Sequence, residues 1–146
     1  MRTAELPHIR ITDIDLENQQ VLIHGSPRTV QRRGSLSDWG TTQLRRRITE
    51  LHARGTDDSA FVIYEGEGSA QSRQASACLA ISDTLAAAGY VGERDVRPLS
   101  IAAWRGAQVL AETGRIEDAR LALGVRSLDR AARLIGFDWQ QSADAS

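Results

Sequence analysis

The sequence contains no lysine, since all 18 of its basic residues are arginine. This absence excludes any mechanism in which a lysine amine serves as nucleophile or proton donor, because a guanidinium group does not release its proton in proteins. There is also only one cysteine, Cys78, so an internal disulfide bond is excluded. Cys78 lies in an alanine-rich segment without an assignable histidine or aspartate partner, and we expect a buried, unreactive thiol.

Long apolar runs and a strong net charge are missing as well. No stretch approaches the roughly 18 apolar residues that cross a bilayer, and the first residues lack the apolar core of a signal peptide, so we expect a cytoplasmic protein with no membrane partner. The formal net charge is −1, which gives no general attraction to nucleic acid. Any contact with DNA must therefore come from a local group of basic residues. No group of side chains suggests a metal site or a cofactor.

The chain has 146 residues, of which 41% are hydrophobic, and this is typical of one compact domain with a real core. We predict a single domain over residues 1–140 and a flexible tail over residues 141–146. There is no internal repeat.

The N-terminal part predicts a small sheet covered by a helix. Apolar residues alternate at Ile9 and Ile11 and again at Val21 and Ile23, which predicts two strands around a Glu-Asn-Gln turn. Residues 28–36 follow a Gly-Ser-Pro turn and can supply a third, strongly basic strand. A helix is then predicted from an N-cap at Asp38 to Gly55, and residues 61–64 predict a buried strand or an extended segment.

The C-terminal half predicts four helices, over residues 71–88, 98–113, 116–123 and 128–135, each followed by a glycine. The fold class is therefore α+β, with a three-stranded antiparallel sheet packed against a mainly helical half. We assign the apolar residues of these helices to the core: Leu79, Ile81, Leu85, Ile101, Val109, Leu110, Leu121, Leu123, Leu128 and Leu134, together with Trp104.

Several short motifs occur in an order found in one known family. Arg-Thr-Ala-Glu-Leu at residues 2–6 runs into Ile-Arg-Ile-Thr-Asp-Ile-Asp-Leu at 9–16, followed by Val-Leu-Ile-His-Gly at 21–25. Near the C-terminus, residues 121–128 read Leu-Ala-Leu-Gly-Val-Arg-Ser-Leu. In order and spacing these motifs resemble the catalytic domain of the tyrosine recombinases, or phage integrases, across nearly the whole chain.

The resemblance implies a chemistry for which most residues are missing. In that family a tyrosine attacks a DNA phosphodiester, arginines stabilise the phosphoryl charge, and a lysine protonates the leaving oxygen. Arg2 and Glu5 fall on the family's first arginine and glutamate, whereas the lysine turn is Gly-Ser-Pro-Arg at residues 25–28. The His-x-x-Arg-His motif falls on Leu-Ser-Ile-Ala-Ala at residues 99–103. Arg105, about one helical turn too late, is a poor substitute for the second arginine.

The last two family positions are also occupied by other residues. The family's later histidine is replaced by Val125, and the tyrosine position falls near Leu134. The sequence thus leaves no intact catalytic site, with Arg2 and Glu5 as vestiges, and we expect no DNA cleavage. It leaves open whether the chain is a working non-catalytic protein related to DNA integration or a remnant of a disrupted integrase.

One region could contact double-stranded DNA. Residues 26–55 contain seven arginines and only two acidic residues. A basic surface of this kind suits contacts to phosphates, although a solvated surface without a ligand explains it equally well. The candidate DNA-binding residues are Arg28, Arg32, Arg33, Arg45, Arg46 and Arg47.

Two alternatives belong to other functional classes. Residues 116–135 resemble a helix-turn-helix regulator, but Arg120 and Arg130 stand where that motif requires a small and an apolar residue. The other alternative is a protein-interaction role, in which the C-terminal helices, with Phe137 and Trp139, contact a full-length recombinase or a second copy of this chain.

Overall fold

The computed structural model describes residues 3–63, 68–93 and 95–137. Three strands come first, β1 (Ile14–Asp15), β2 (Gln20–Ile23) and β3 (Arg32–Ser35), and a helix α1 (Asp38–Ala53) follows them. Four further helices complete the described chain: α2 (Ala70–Ala87), α3 (Pro98–Thr113), α4 (Ile116–Leu123) and α5 (Leu128–Ile135). The predicted α+β architecture is confirmed.

The sheet is antiparallel in the order β1-β2-β3, with Ile14 opposite Val21 and Ile23 opposite Arg32. The first of the two predicted strands is present only at Ile14–Asp15, and the alternating residues Ile9 and Ile11 do not form a strand. The Asp13 carboxylate accepts a hydrogen bond from the Arg10 amide at 2.9 Å, while the Asp13 amide donates to the Arg10 carbonyl at 3.1 Å. These two bonds curl Ile11–Asp13 into one turn of 3₁₀ helix, so only two residues remain for β1.

Helix α1 begins one residue earlier than a cap at Asp38 would place it. The hydroxyl of Ser37 accepts a hydrogen bond from the Gly40 amide at 3.1 Å, which makes Ser37 the N-cap and puts Asp38 in the first turn. The inner face of α1 packs against the sheet, as the helical spacing of its apolar residues predicts. Together they form what we call the N-terminal cluster: Ile9, Ile11, Val21, Ile23, Leu51 and Val62, flanked by Ile14, Leu36, Leu44, Ile48 and Ala60.

The segment after α1 is extended, one of the two predicted options. The Val62 amide donates to the carbonyl of Ile9 at 3.0 Å, and Phe61 forms an isolated bridge with Arg10. Val62 is buried by this pairing. Tyr64 lies outside the described residues.

Helices α3, α4 and α5 form the second core. Gly106 of α3 permits their close approach, because a Cβ there would lie 2.8 Å from a Leu123 methyl carbon. The last two predicted helices have the bounds that the sequence indicated, and each ends at a left-handed glycine, Gly124 or Gly136. We call this core the C-terminal cluster: Ala102, Ile116, Ala119, Leu123, Val125, Ala131 and Ala132, flanked by Leu110, Leu128, Leu134, Ile135 and Phe137.

Four core assignments are wrong. Leu79, Ile101, Trp104 and Leu121 are all exposed, with 62% of Trp104 accessible to solvent. Leu79 is exposed because α2 packs little against the rest of the described chain. Ala77 is the one buried residue of this helix. Cys78 on the same helix is only half-buried rather than buried. No helix within the described ranges is long and apolar enough to cross a membrane.

Candidate nucleic-acid interface

The six arginines selected from the sequence divide into a buried residue, a half-buried residue and four exposed ones. Arg32 on β3 is the buried residue, and its side chain is only 9% exposed. Its guanidinium group makes a bidentate ion pair with Glu5, at 2.8 Å and 2.9 Å, and the Glu5 side chain is 2% exposed. A buried bidentate pair of this kind is strongly oriented and leaves little of the guanidinium free.

Further bonds fix Arg32 between the sheet and the C-terminal helices. Its Nε donates to the carbonyl of Ala122 at 3.2 Å, and Nη1 also donates to the carbonyl of Val30 at 3.2 Å. The Val30 amide in turn donates to the carbonyl of Gly124 at 2.8 Å. The expected phosphate contact at Arg32 does not fit this placement, because the guanidinium group is bonded within the fold and only 9% of the side chain is exposed.

Arg28 and Arg33 lie on the β2–β3 hairpin and are exposed. The Arg28 amide donates to the hydroxyl of Ser26 at 3.2 Å, which shapes the turn and leaves the guanidinium outside it. Arg33 follows Arg32 on β3, so its side chain points to the opposite face of the sheet. There its guanidinium makes one long contact with the side-chain oxygen of Gln20, at 3.4 Å.

The three arginines of α1 differ in their surroundings. Arg45 and Arg46 are exposed on the side of the helix away from the N-terminal cluster, and Arg46 makes a 3.3 Å surface ion pair with Glu50. Arg47 is half-buried, and its Nε donates to the carbonyl of Val62 at 3.0 Å. Arg47 therefore ties α1 to the extended segment. Four of the six arginines, Arg28, Arg33, Arg45 and Arg46, are thus exposed to solvent, and we call them the exposed arginine set.

The positions that correspond to the family's histidine and arginine motif lie in the first two turns of α3. Ser100 caps this helix, since its hydroxyl accepts from the Arg97 amide at 3.0 Å and donates to the carbonyl of Asp95 at 3.1 Å. Ala102 is buried in the C-terminal cluster. Arg105, one turn later, lies 3.4 Å from Glu112 on the same helix, so its charge is balanced within α3.

Two further positions of the motif set belong to the core. Val125, at the place of the later histidine, has no solvent exposure, and its carbonyl accepts from Arg120 at 3.3 Å. Leu134, near the place of the tyrosine, is half-buried and packs on the C-terminal cluster. Tyr90 is exposed, in the segment between α2 and α3. Arg2 lies outside the described residues, as does Trp139.

A basic cleft that the sequence did not indicate lies on the N-terminal side of the fold. Arg10 and Arg73 both lie against the ring of Phe61, with guanidinium carbons 4.4 Å and 4.8 Å from the ring centre. They line an open cleft of about 610 Å³ together with Ala4, His8, His24, Gly25, Ser26, Pro27 and Phe61. Nothing in the sequence links Arg10 to Arg73, since one precedes β1 and the other lies on α2.

The described ranges contain no group of three or more histidine, cysteine, aspartate or glutamate side chains that could hold a metal ion. His24 lies at the edge of the cleft with its Nε2 atom 2.7 Å from the Asp13 carboxylate. His52 makes a similar contact with Asp58 at 2.7 Å. Both are isolated pairs and do not form a ligand set.

Comparison with known proteins places this arrangement in a structural context. The sequence matches no protein-family model, and no curated protein matches it. Among solved structures, a crystal structure of XerA recombinase superposes with a TM-score of 0.73 over 99% of this chain, at 17% sequence identity. This chain spans about half of that protein, 51% of its length. The described chain thus has an α+β fold similar to that of about half of this recombinase.

Proposed function

We propose that this protein is a non-cleaving relative of site-specific recombinases that binds double-stranded DNA through the exposed arginine set. The observation that supports it best is the contrast between two groups of positions on one recombinase-like fold. The positions of the later histidine and the tyrosine hold Val125 and Leu134, which pack in the core. The exposed arginine set, in contrast, remains open to solvent.

Loss of cleavage follows from the chemistry that the missing groups would perform. Attack on a phosphodiester needs a nucleophile, charge stabilisation and a proton donor at one place. Here a leucine, a valine and an alanine-rich helix start occupy the corresponding positions, and the turn that would carry the lysine carries Arg28. An arginine is a very poor proton donor, so it cannot take over that step.

DNA binding is supported by the exposure of these arginines and by their incomplete pairing. Arg33 makes one long hydrogen bond, and the Arg46–Glu50 pair is highly exposed, so water screens it strongly. Contacts between such residues and phosphates release condensed counterions, which makes binding favourable at low salt and steeply dependent on salt concentration. The predicted mode is backbone binding with little sequence preference.

A salt-titrated gel shift on generic and recombination-site-like duplexes tests DNA binding. The double variant Arg45→Glu/Arg46→Glu should weaken binding by at least about tenfold and lower the slope of log K against log salt by about two. Arg130→Glu/Arg133→Glu makes the same change of charge on exposed residues of α5 and should leave binding within about twofold. Equal losses in both double variants would indicate a nonspecific effect of net charge and would contradict the proposed surface.

A nicked recombination-site substrate tests the loss of cleavage separately. We expect no covalent protein–DNA adduct after denaturing electrophoresis, at any pH between 6 and 9. An adduct that survives denaturation would refute the proposal, and mass spectrometry would then identify the attached residue.

Protein binding is a second candidate function, favoured by exposed apolar side chains on and before α3. Tyr90, Val91, Leu99, Ile101 and Trp104 are all exposed, and monomeric proteins usually keep such groups apart. The partner would be a recombinase subunit or a second copy of this chain. Light scattering after size-exclusion chromatography tests self-association. A dimer that Trp104→Ser disrupts would support this candidate, and a monomer at all concentrations would argue against the second copy.

A further inference from the structure

Two arginine side chains share one aromatic ring on the N-terminal side of the fold. Arg10 approaches the Phe61 ring to 4.4 Å and Arg73 approaches it to 4.8 Å. Each contact is a favourable cation–π interaction. The arrangement nevertheless brings two positive charges together, since each lies within van der Waals range of the same ring.

The described residues around these two arginines supply little compensating negative charge. Among the residues of the described ranges, those that line the cleft include two arginines and two histidines but no aspartate or glutamate. The guanidinium of Arg73 makes neither a hydrogen bond nor an ion pair with the described chain, and its Nε is shielded from solvent. Arg10 donates to the carbonyl of Ser59, which is neutral.

Two acidic residues of the described chain interact with Arg10, and both have other partners. The Asp13 carboxylate accepts from the Arg10 amide and lies against His24. Hydrogen bonds from the Ser59 hydroxyl and amide lower the pKa of Asp57, and the charge of Arg10 contributes only the weakest of the effects on it. Asp57 is thus ionised but held by Ser59. An anion entering the cleft would meet two guanidinium groups with free donors.

We infer that this cleft is a binding site for a phosphate group, held between Arg10 and Arg73. A phosphate fits the chemistry because its several acceptor oxygens can bind two guanidinium groups at once, and such charge-assisted hydrogen bonds are the strong ones. Ser26 at the edge of the cleft adds a hydroxyl. None of the six arginines selected from the sequence lines this cleft, so the site does not depend on the exposed arginine set.

Isothermal titration calorimetry with sodium pyrophosphate tests the site, with NaCl adjusted to keep ionic strength constant. We expect saturable binding at one site per chain. Arg73→Gln should weaken it by at least about tenfold, because one charge-assisted contact is lost. Arg73→Gln should keep the fold, since this guanidinium makes no hydrogen bond with the described chain, and circular dichroism checks this. Arg10→Gln should weaken binding similarly.

The matched control is Arg130→Gln/Arg133→Gln, which removes two exposed charges that do not line the cleft, and it should bind pyrophosphate like the wild type. The inference is overturned if the wild type shows no saturable binding at constant ionic strength, or if Arg73→Gln binds as tightly as the wild type.

Duplex DNA distinguishes the two sources of such a phosphate. If Arg73→Gln also weakens binding of a short duplex and pyrophosphate competes with that duplex, the bound group is a backbone phosphate. If the duplex binds equally well, the ligand is a free phosphate compound. Either result is consistent with a phosphate site between Arg10 and Arg73. Neither result depends on the Arg45→Glu/Arg46→Glu variant, so the inference and the proposed function can fail separately.

Discussion

Gly124 lies directly against the guanidinium group of Arg32: a Cβ atom on Gly124 would come within 2.2 Å of Nη1. The glycine also has a positive φ of 68°, which side-chain-bearing residues rarely adopt. Gly124→Ala should therefore lower the free energy of unfolding by about 2–4 kcal/mol, from backbone strain and from the clash together. Urea denaturation followed by circular dichroism measures this loss.

Gly136 provides the matched control for this prediction. Its φ is 69°, almost identical to that of Gly124, but a Cβ there would meet nothing within 4 Å. Gly136→Ala should cost only the conformational strain, about 1 kcal/mol. Similar losses in the two variants would mean that Arg32 does not pack on Gly124 as described.

The ion pair between Glu5 and Arg32 predicts a second large effect on stability. Glu5→Gln removes the negative partner and leaves the buried Arg32 charge uncompensated, which should cost about 3–5 kcal/mol. The same change in an exposed pair is the control: Glu50→Gln beside Arg46 should cost no more than about 0.5 kcal/mol. A variant at Arg32 would therefore change stability as well as any contact with DNA, and it is not a clean test of DNA binding.

Val125 allows a test of whether a family residue can simply be restored. Val125→His would place a polar ring at a site without solvent exposure and should destabilise the protein by about 3 kcal/mol or more. It should not produce a covalent adduct with DNA, because no tyrosine stands near residue 134. The neighbouring exposed variant Arg126→His should change stability by less than about 0.5 kcal/mol. A stable, cleaving Val125→His protein would contradict the description of this turn.

Trp104 and Leu123 together test the corrected core. Trp104 is mostly exposed, so Trp104→Ala should change the free energy of unfolding by less than about 1 kcal/mol. Leu123 is buried in the C-terminal cluster, and Leu123→Ala should cost about 2–5 kcal/mol. Thermal denaturation of both variants gives the comparison. The reverse order would restore the original assignment of Trp104 to the core.

Much of the fold could be predicted because local signals determine it. The glycines after α3, α4 and α5 mark the ends of those helices, and the spacing of Leu44, Ile48 and Leu51 identifies the inner face of α1. The first strand is shorter than the sequence predicts because the alternation at Ile9 and Ile11 shows only that both side chains are buried. It does not show that the backbone between them is extended. The curl in that segment comes from Asp13, which bonds to the backbone of Arg10.

The candidate site was harder to predict because charge alone does not reveal burial. Arg32 and Arg33 are neighbours in a basic strand, yet one pairs with Glu5 in the interior and the other lies on the outer face. Successive residues of β3 point to opposite faces, and only the face of Arg32 meets Glu5, which lies far away in the sequence. The Arg10–Phe61–Arg73 cleft is less predictable still, because it depends on where α2 meets the N-terminal segment.

The bonds around Arg32 have a consequence for how the domain melts. The N-terminal and C-terminal clusters have no buried residue in common, so each could in principle unfold by itself. Arg32 and the Val30–Gly124 hydrogen bond join the carbonyls of Ala122 and Gly124, at the end of α4, to β3 and the turn before it. Cooperativity between the two halves therefore depends in part on these polar contacts, because the two apolar clusters are separate. Loss of the Arg32 charge should split one calorimetric transition into two.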